Sequence, residues 1–171
     1  MAAFTTGIMA CAAPASACPE PVERATDGAR ADAPSVARRV VVSIPDRMLA
    51  LIDGEQVVSI YPIAVGAPVS PSPVGTFSVV TRVTNPTYYR PGKVIGPGAN
   101  NPIGTRWIGL SAKGFGIHGT DDPRSIGFAK SHGCIRLRNQ DVEQLFEQLR
   151  AGDVVELHAE RTPEILQLFG R

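Results

Sequence analysis

Charge of one sign is missing from this chain. Seventeen Lys and Arg stand against sixteen Asp and Glu, a formal net charge of +1 over 171 residues. The basic residues are scattered, and Arg38-Arg39 is the densest pair near the start of the patterned region. No bulk electrostatic case therefore exists for nucleic acid or for a polybasic membrane contact. Long apolar runs are also missing: none approaches the roughly 18 to 20 residues of a spanning helix. Cysteine is scarce, with three in all and only Cys134 beyond residue 18. No CxxC or HxxxH pair supports a closed zinc shell around His118, His132 and Cys134, and neither metal nor cofactor is expected. Turn formers, by contrast, are abundant: 17 glycines and 15 prolines point to a strand-rich protein rather than a helix bundle.

Residues 1–18 and 19–37 carry no strand or helix period. Met1 to Ala17 has no acidic or basic side chain, and Ala15-Ser16-Ala17 has the small residues of a signal cleavage site. Ile8-Met9-Ala10-Cys11 reads alternatively as a lipoprotein processing site with Cys11 acylated. A third reading is an Ala-rich disordered N-terminus, since a basic n-region is missing and Gly7 breaks the apolar stretch. An export signal, shortened by a late choice of start codon, is favoured, and with it a periplasmic or cell-envelope location. Pro19 to Val36 is rich in Pro, Ala and charge, as in a flexible linker.

From Arg39 the pattern becomes that of strands. Arg39 to Ile44 is a β-branched run. Met48 to Ile52 and Glu55 to Val65 flank Asp53-Gly54, a hairpin signal. Pro62 marks the return strand as an edge or a bulge. Thr76 to Val83, Trp107 to Leu110, Phe115 to His118 and Asp153 to His158 are further strands, and His158 reads as structural. Asn85 to Ile103 is a long irregular segment, a length that usually serves function. One helix is expected after the cysteine. Asn139 is its N-cap, Val142, Leu145, Phe146 and Leu149 form its apolar stripe, and Gly152 is its stop. Pro163 to Phe169 reads as a short terminal helix within a C-terminal tail, 159–171. The expectation is a mostly β domain of strand pairs, without βαβ units or parallel pairing.

The chemistry centres on Ser131-His132-Gly133-Cys134. A lone cysteine with histidine available in space has the composition of a thiol nucleophile and its base. A free thiol near pKa 8.5 is only slightly ionised at neutral pH, and an imidazole that takes its proton leaves a thiolate–imidazolium pair. His118 lies 134 − 118 = 16 residues before Cys134, so the two meet only if the strand ending at His118 runs beside the cysteine segment. Gly133 keeps the backbone beside the nucleophile bare, and N–H groups around Gly133 and Cys134 are candidates for an oxyanion site. The bland alternatives are a buried structural thiol for Cys134 and a satisfied core histidine for His118. Arg136 and Arg138 read either as solvated charge or, better for Arg136, as a functional cation.

Gly116-Ile117-His118-Gly119-Thr120 followed by Ser131-His132-Gly133-Cys134-Ile135-Arg136-Leu137-Arg138-Asn139 resembles the signature of the L,D-transpeptidase family with the YkuD-type catalytic domain. Ser-Pro-Val-Gly-Thr-Phe at 72–77 and Asn-Pro-Ile-Gly-Thr-Arg at 101–106 are similar to that family too. The resemblance spans Arg39 to His158, within a catalytic domain set at 38–158. It implies a β-sandwich with one packed helix after the cysteine, and cysteine peptidyl transfer on peptidoglycan stem peptides. By that resemblance Cys134 is the nucleophile and His118 the general base. The Gly119 carbonyl orients His118, and His132 shapes the pocket. Arg136 stands where some members carry asparagine and is a substrate-binding candidate, as are Ser131 and Tyr89. The Tyr88-Tyr89 loop reads equally as a lid or as packed loop. An amine from a second stem, an amine of a wall-anchored lipoprotein, and water are all open as acceptors. A different class, an inactive wall-binding domain using the same cleft, has no need of a reactive thiol.

Overall fold

The computed structural model describes residues 38–170; the expectations placed on residues 1–37, including Cys11, lie outside the described residues. In chain order the strands are β1 (Arg39–Ser43), β2 (Met48–Asp53), β3 (Gln56–Pro62), β4 (Val65–Gly66), β5 (Gly75–Thr84), β6 (Tyr88–Arg90), β7 (Lys93–Ile95), β8 (Arg106–Leu110), β9 (Gly116–His118), β10 (Ala129–Ser131), β11 (Ile135–Arg136) and β12 (Val154–His158). Helix α1 (Asn139–Gln148) follows β11, and α2 (Pro163–Phe169) follows β12. The protein is mainly β, as expected.

Eight strands form one sheet in the order β11-β9-β8-β5-β12-β1-β2-β3. Strand β5 turns that sheet into the two faces of a sandwich. Its first half pairs with β12 and its second half with β8, with a register irregularity between Val79 and Thr81. A strand that changes partner across a bulge is how a sheet turns a corner and folds back on itself. Side chains from both halves then close one core: Val40, Val42, Leu49 and Leu51 from one side, Ile108, Ile117, Ile135 and Leu137 from the other. The alternation of β1 is used on both faces. Val40 and Val42 enter that core, whereas Val41 joins Ala50, Ile52 and Ile165 of α2 in a second cluster. The C-terminal stretch is thus anchored by a fully buried Ile165.

Three local expectations are corrected. First, parallel pairs are present: β1 with β12, β9 with β11, and β4 with β10. Hydrophobic alternation records which face a residue occupies and is silent on strand direction. Second, the run from Glu55 to Val65 is not one strand. It breaks after Pro62, which has no N–H for a ladder, and the chain leaves β2 for the cysteine segment. There Ala64 N–H donates to Arg136 O, and Arg136 N–H to Ala64 O, both at 2.9 Å. The portion left behind, β3, is the edge of the large sheet, as Pro62 suggested. Third, Asn139 is the first residue of α1 rather than its cap; Arg138 is the cap, and it makes no side-chain capping bond. The helix ends at Gln148, and Gly152 lies in the turn that leads to β12. The long segment 85–103 also contains a small hairpin, β6–β7.

The apolar stripe of α1 packs as its spacing required, with Val142, Leu145 and Leu149 fully buried. Truncating Leu145 to Ala should lower the unfolding free energy by about 2–5 kcal/mol in a denaturant titration. Gln144→Ala, at an exposed position of the same helix, should change it by less than about 0.5 kcal/mol.

Candidate active site

The parallel pairing of β9 with β11 places Ile117 opposite Ile135 and His118 opposite Arg136. Both isoleucines are buried in the core, so the apolar side of this short ladder fixes which residues face the other way. Leu137 N–H donates to His118 O at 2.9 Å and extends the pairing. His118 and Cys134, 16 residues apart, consequently line one cleft of about 680 Å³. Ser131, His132, Arg136 and Tyr89 line the same cleft. So do Asn85 to Tyr88 and Ile103, from the long segment expected to serve function, and Trp107, which the sequence did not single out. For Trp107 the available signal was its place on the strand that pairs with β9.

His118 is 4% exposed. Its ring is held from two directions. Trp107 stacks on it with centroids 5.6 Å apart and planes at 21°. Its Nδ1 lies 2.5 Å from the carbonyl oxygen of Gly119. A carbonyl only accepts, so Nδ1 carries the proton in this bond and Nε2 retains the lone pair. Burial pulls the imidazole down to a pKa of about 4; the Gly119 carbonyl opposes this, and the positive charge of Arg136 adds to it.

Cys134 is half-buried and is the free cysteine of the described residues. Burial pushes its thiol up, opposed by a hydrogen bond from the Gly116 backbone and by the charge of Arg136. The thiol also lies 3.8 Å from the Gly114 carbonyl oxygen, to which it can donate. Burial thus favours the neutral form of both partners, the opposite of the resting thiolate–imidazolium pair expected from the residue types.

The loop that carries Cys134 is built from its own atoms. Ser131, 2% exposed, donates from its hydroxyl to Cys134 O at 2.5 Å and accepts from Gly133 N–H at 3.1 Å. Gly133 has φ +107°, and a Cβ there would stand 2.5 Å from the Phe115 ring, so no other residue fits without strain. Its N–H, expected at an oxyanion site, is already engaged by Ser131. His132 is exposed on the cleft wall. Tyr89 is 74% exposed on the β6–β7 hairpin. Arg136 is the cleft lining's one Lys, Arg, Asp or Glu residue. Its Nε is buried and has no hydrogen-bond partner among the described residues. Among those residues no group of three or more His, Cys, Asp or Glu gathers in a way that would hold a metal ion, and no helix is long and apolar enough to cross a membrane.

A strand-borne histidine and a loop-borne cysteine, sharing a cleft in a mainly β sandwich, define a class that the comparisons resolve further. Residues 37–157 match the family described as YkuD, the L,D-transpeptidase catalytic domain. A putative L,D-transpeptidase of Bacillus subtilis, YqjB, is 40% identical over 118 residues, covering 66% of each chain. A putative L,D-transpeptidase of Bacillus licheniformis, YkuD, is 41% identical over 107 residues, 63% of this chain and 57% of its own. The match therefore spans less than two thirds of these relatives' length. A solved L,D-transpeptidase from Mycobacterium smegmatis shares the fold at a TM-score of 0.61 and 22% identity, over 72% of this chain and 59% of that one. The chain belongs to the L,D-transpeptidase family with the YkuD-type catalytic domain.

The depressed pKa of His118 has a consequence for stability. As pH falls, the unfolded chain takes up this proton near pH 6.5 while the native chain does so only near 4. Stability present above pH 6.5 is lost progressively down to about pH 4. At about 1.4 kcal/mol per pH unit the loss reaches about 3 kcal/mol. Chemical denaturation of wild type and His118→Asn at a series of pH values should show this component of the acid slope in the wild type only.

Proposed function

We propose that the chain is a cysteine-dependent L,D-transpeptidase acting on peptidoglycan stem peptides, with Cys134 as nucleophile and His118 as general base. The observation that carries this reading is the shared cleft in which a buried imidazole, with its Nε2 lone pair free by virtue of the Gly119 carbonyl, accompanies the thiol. Neither group is charged at rest, so the proton moves with the attack. Cys134 Sγ bonds to the carbonyl carbon that links a diamino acid to a terminal D-alanine, and the thiol proton passes to Nε2. The tetrahedral intermediate then breaks its C–N bond. His118 returns the proton to the departing amine, D-alanine leaves, and a thioester remains on Cys134. An amine of a second stem attacks that thioester, again losing its proton to His118, and gives a 3→3 cross-link. The same thioester accepts a lipoprotein amine in protein attachment, or water in a carboxypeptidase reaction.

The remaining residues take roles from their contacts. Arg136 offers an otherwise unpaired cation to a carboxylate of the stem, a geometry in which guanidinium pairs well. Ser131 lines the cleft, but its hydroxyl is engaged with Cys134 and Gly133, so it holds the nucleophile loop rather than the substrate. Gly133 contributes by its missing side chain. His132 and Tyr89 form walls of the cleft against which a stem would lie. Stems of this kind lie outside the cytoplasmic membrane, so the reading places the chain in the periplasm or cell envelope.

Cys134→Ala should abolish D-alanine release from tetrapeptide stems, followed by mass spectrometry of muropeptides. Release at the wild-type rate would refute the nucleophile. His118→Ala should keep the fold but slow acylation by about 100-fold or more, the usual worth of a positioned base. An unchanged rate would move the base role to His132. The pH profile of single-turnover acylation offers a separate check. With the base half-protonated only near pH 4, the rate at pH 5.5 should stay close to its neutral value. A base with the ordinary histidine pKa of about 6.5 would lose about nine-tenths of it.

A further inference from the structure

The hydrogen bond from His118 to the Gly119 carbonyl works only if that carbonyl is itself held. Gly119 lies at the end of β9, where the chain turns into the loop toward β10, and a glycine in such a place has the widest freedom to rotate its peptide. The structure shows what restrains it. Asn139, two residues after the last leucine of the cysteine motif, sends its side chain away from α1 and between two loops. Its Oδ1 accepts from Thr120 N–H at 3.2 Å and from Thr105 N–H at 3.3 Å. The Thr120 amide belongs to the same peptide unit as the Gly119 carbonyl, because a peptide bond joins the C=O of one residue to the N–H of the next in one rigid plane. Fixing that N–H on Asn139 fixes the direction of the Gly119 oxygen on the opposite edge.

The two glycines around the side chain make the fit specific. A Cβ added at Gly119, or at Gly104 (φ +61°), would overlap Asn139 Oδ1. Both positions thus leave the space that the carboxamide fills. Asn139 is not needed as a cap: Arg138 holds that position, and no side chain caps the helix start. A residue placed there only for helix formation would have no reason to reach across to Thr105 and Thr120.

We propose that Asn139 is a positioning residue for the general base, locking the Gly119–Thr120 peptide plane so that the Gly119 carbonyl selects the His118 tautomer with a free Nε2. The proposal rests on His118 being the base. Asn139 touches neither substrate nor thiol. It acts through one rigid peptide on the imidazole 21 residues earlier in the chain.

The test uses the full chain with 15N-labelled histidine and compares Asn139→Ala, which removes the oxygen, with Asn139→Asp, which keeps an acceptor in the same place. Two quantities are read at neutral pH: the protonation of the two His118 ring nitrogens by NMR, and the single-turnover rate of Cys134 acylation by a tetrapeptide stem. Wild type should show Nδ1 protonated and Nε2 bare. In Asn139→Ala the His118 signals should shift toward a mixture of tautomers and acylation should fall about 10- to 100-fold, the scale of loss when an outer partner that orients a metal-bound histidine is removed. Asn139→Asp should restore both, to within about threefold for the rate. A variant Asn139→Ala that loses thermal stability yet keeps the wild-type tautomer and rate overturns the proposal, as does an Asn139→Asp as slow as the alanine variant. A His118→Ala chain that acylates as fast as wild type would instead overturn the base assignment, and is measured alongside to separate the two.

Discussion

The parallel pairing of β9 with β11 is the constraint on which the site depends. It is only two residue pairs long, Ile117 with Ile135 and His118 with Arg136, yet both isoleucines are locked in the sandwich core. A strand alternates faces with a period of two, so a slip of one residue would turn the histidine into the core and an isoleucine into the cleft. The core thus sets the register, and the register sets the chemistry. Pro62 contributes by ending β3, after which Ala64 bonds to Arg136 from the other side. The cysteine segment is therefore held between two neighbours rather than at a free edge.

Within that frame the balance of charge is decided by burial. Desolvation disfavours the ionised form of both thiol and imidazole, and Arg136 acts on both: it eases the formation of thiolate and resists the formation of imidazolium. A resting ion pair has little support here. The Gly119 carbonyl gives His118 its orientation and tautomer, as a carboxylate does in a Ser-His-Asp triad, without a formal negative charge to favour imidazolium further. His118 is consequently neutral over most of the pH range, as the proposed base role requires, in a native state that resists acid less well.

Much of this was legible in the sequence, and the rest was hidden for identifiable reasons. Short β-branched and apolar runs bounded by turn formers revealed β1, β2, β8 and β12. The helical spacing of Val142, Leu145, Phe146 and Leu149 revealed α1, and the residue types of Ser131 to Cys134 pointed to a segment that the fold places on the cleft with His118. Parallel pairing was not visible, because the partners are far apart in the chain and alternation carries no direction. Asn139 was misread as a cap because a polar residue at a helix start ordinarily bonds to its own helix; its bonds to Thr105 and Thr120 follow from tertiary packing alone. Ser131, a substrate-binding candidate by resemblance, has its hydroxyl turned onto its own loop, where it bonds Cys134 O and Gly133 N–H, an arrangement set by the folded loop rather than by residue type.

By the proposed mechanism the stem becomes covalently attached to the thiol of Cys134 during turnover. Acid quenching of the enzyme within its first turnover on a tetrapeptide stem, followed by mass spectrometry of the intact chain and of its peptides, tests this directly. The expected product is an adduct of the stem lacking its terminal D-alanine, mapped to the peptide that contains Cys134. D-alanine release with no adduct on Cys134, or with the adduct on another residue, would contradict it.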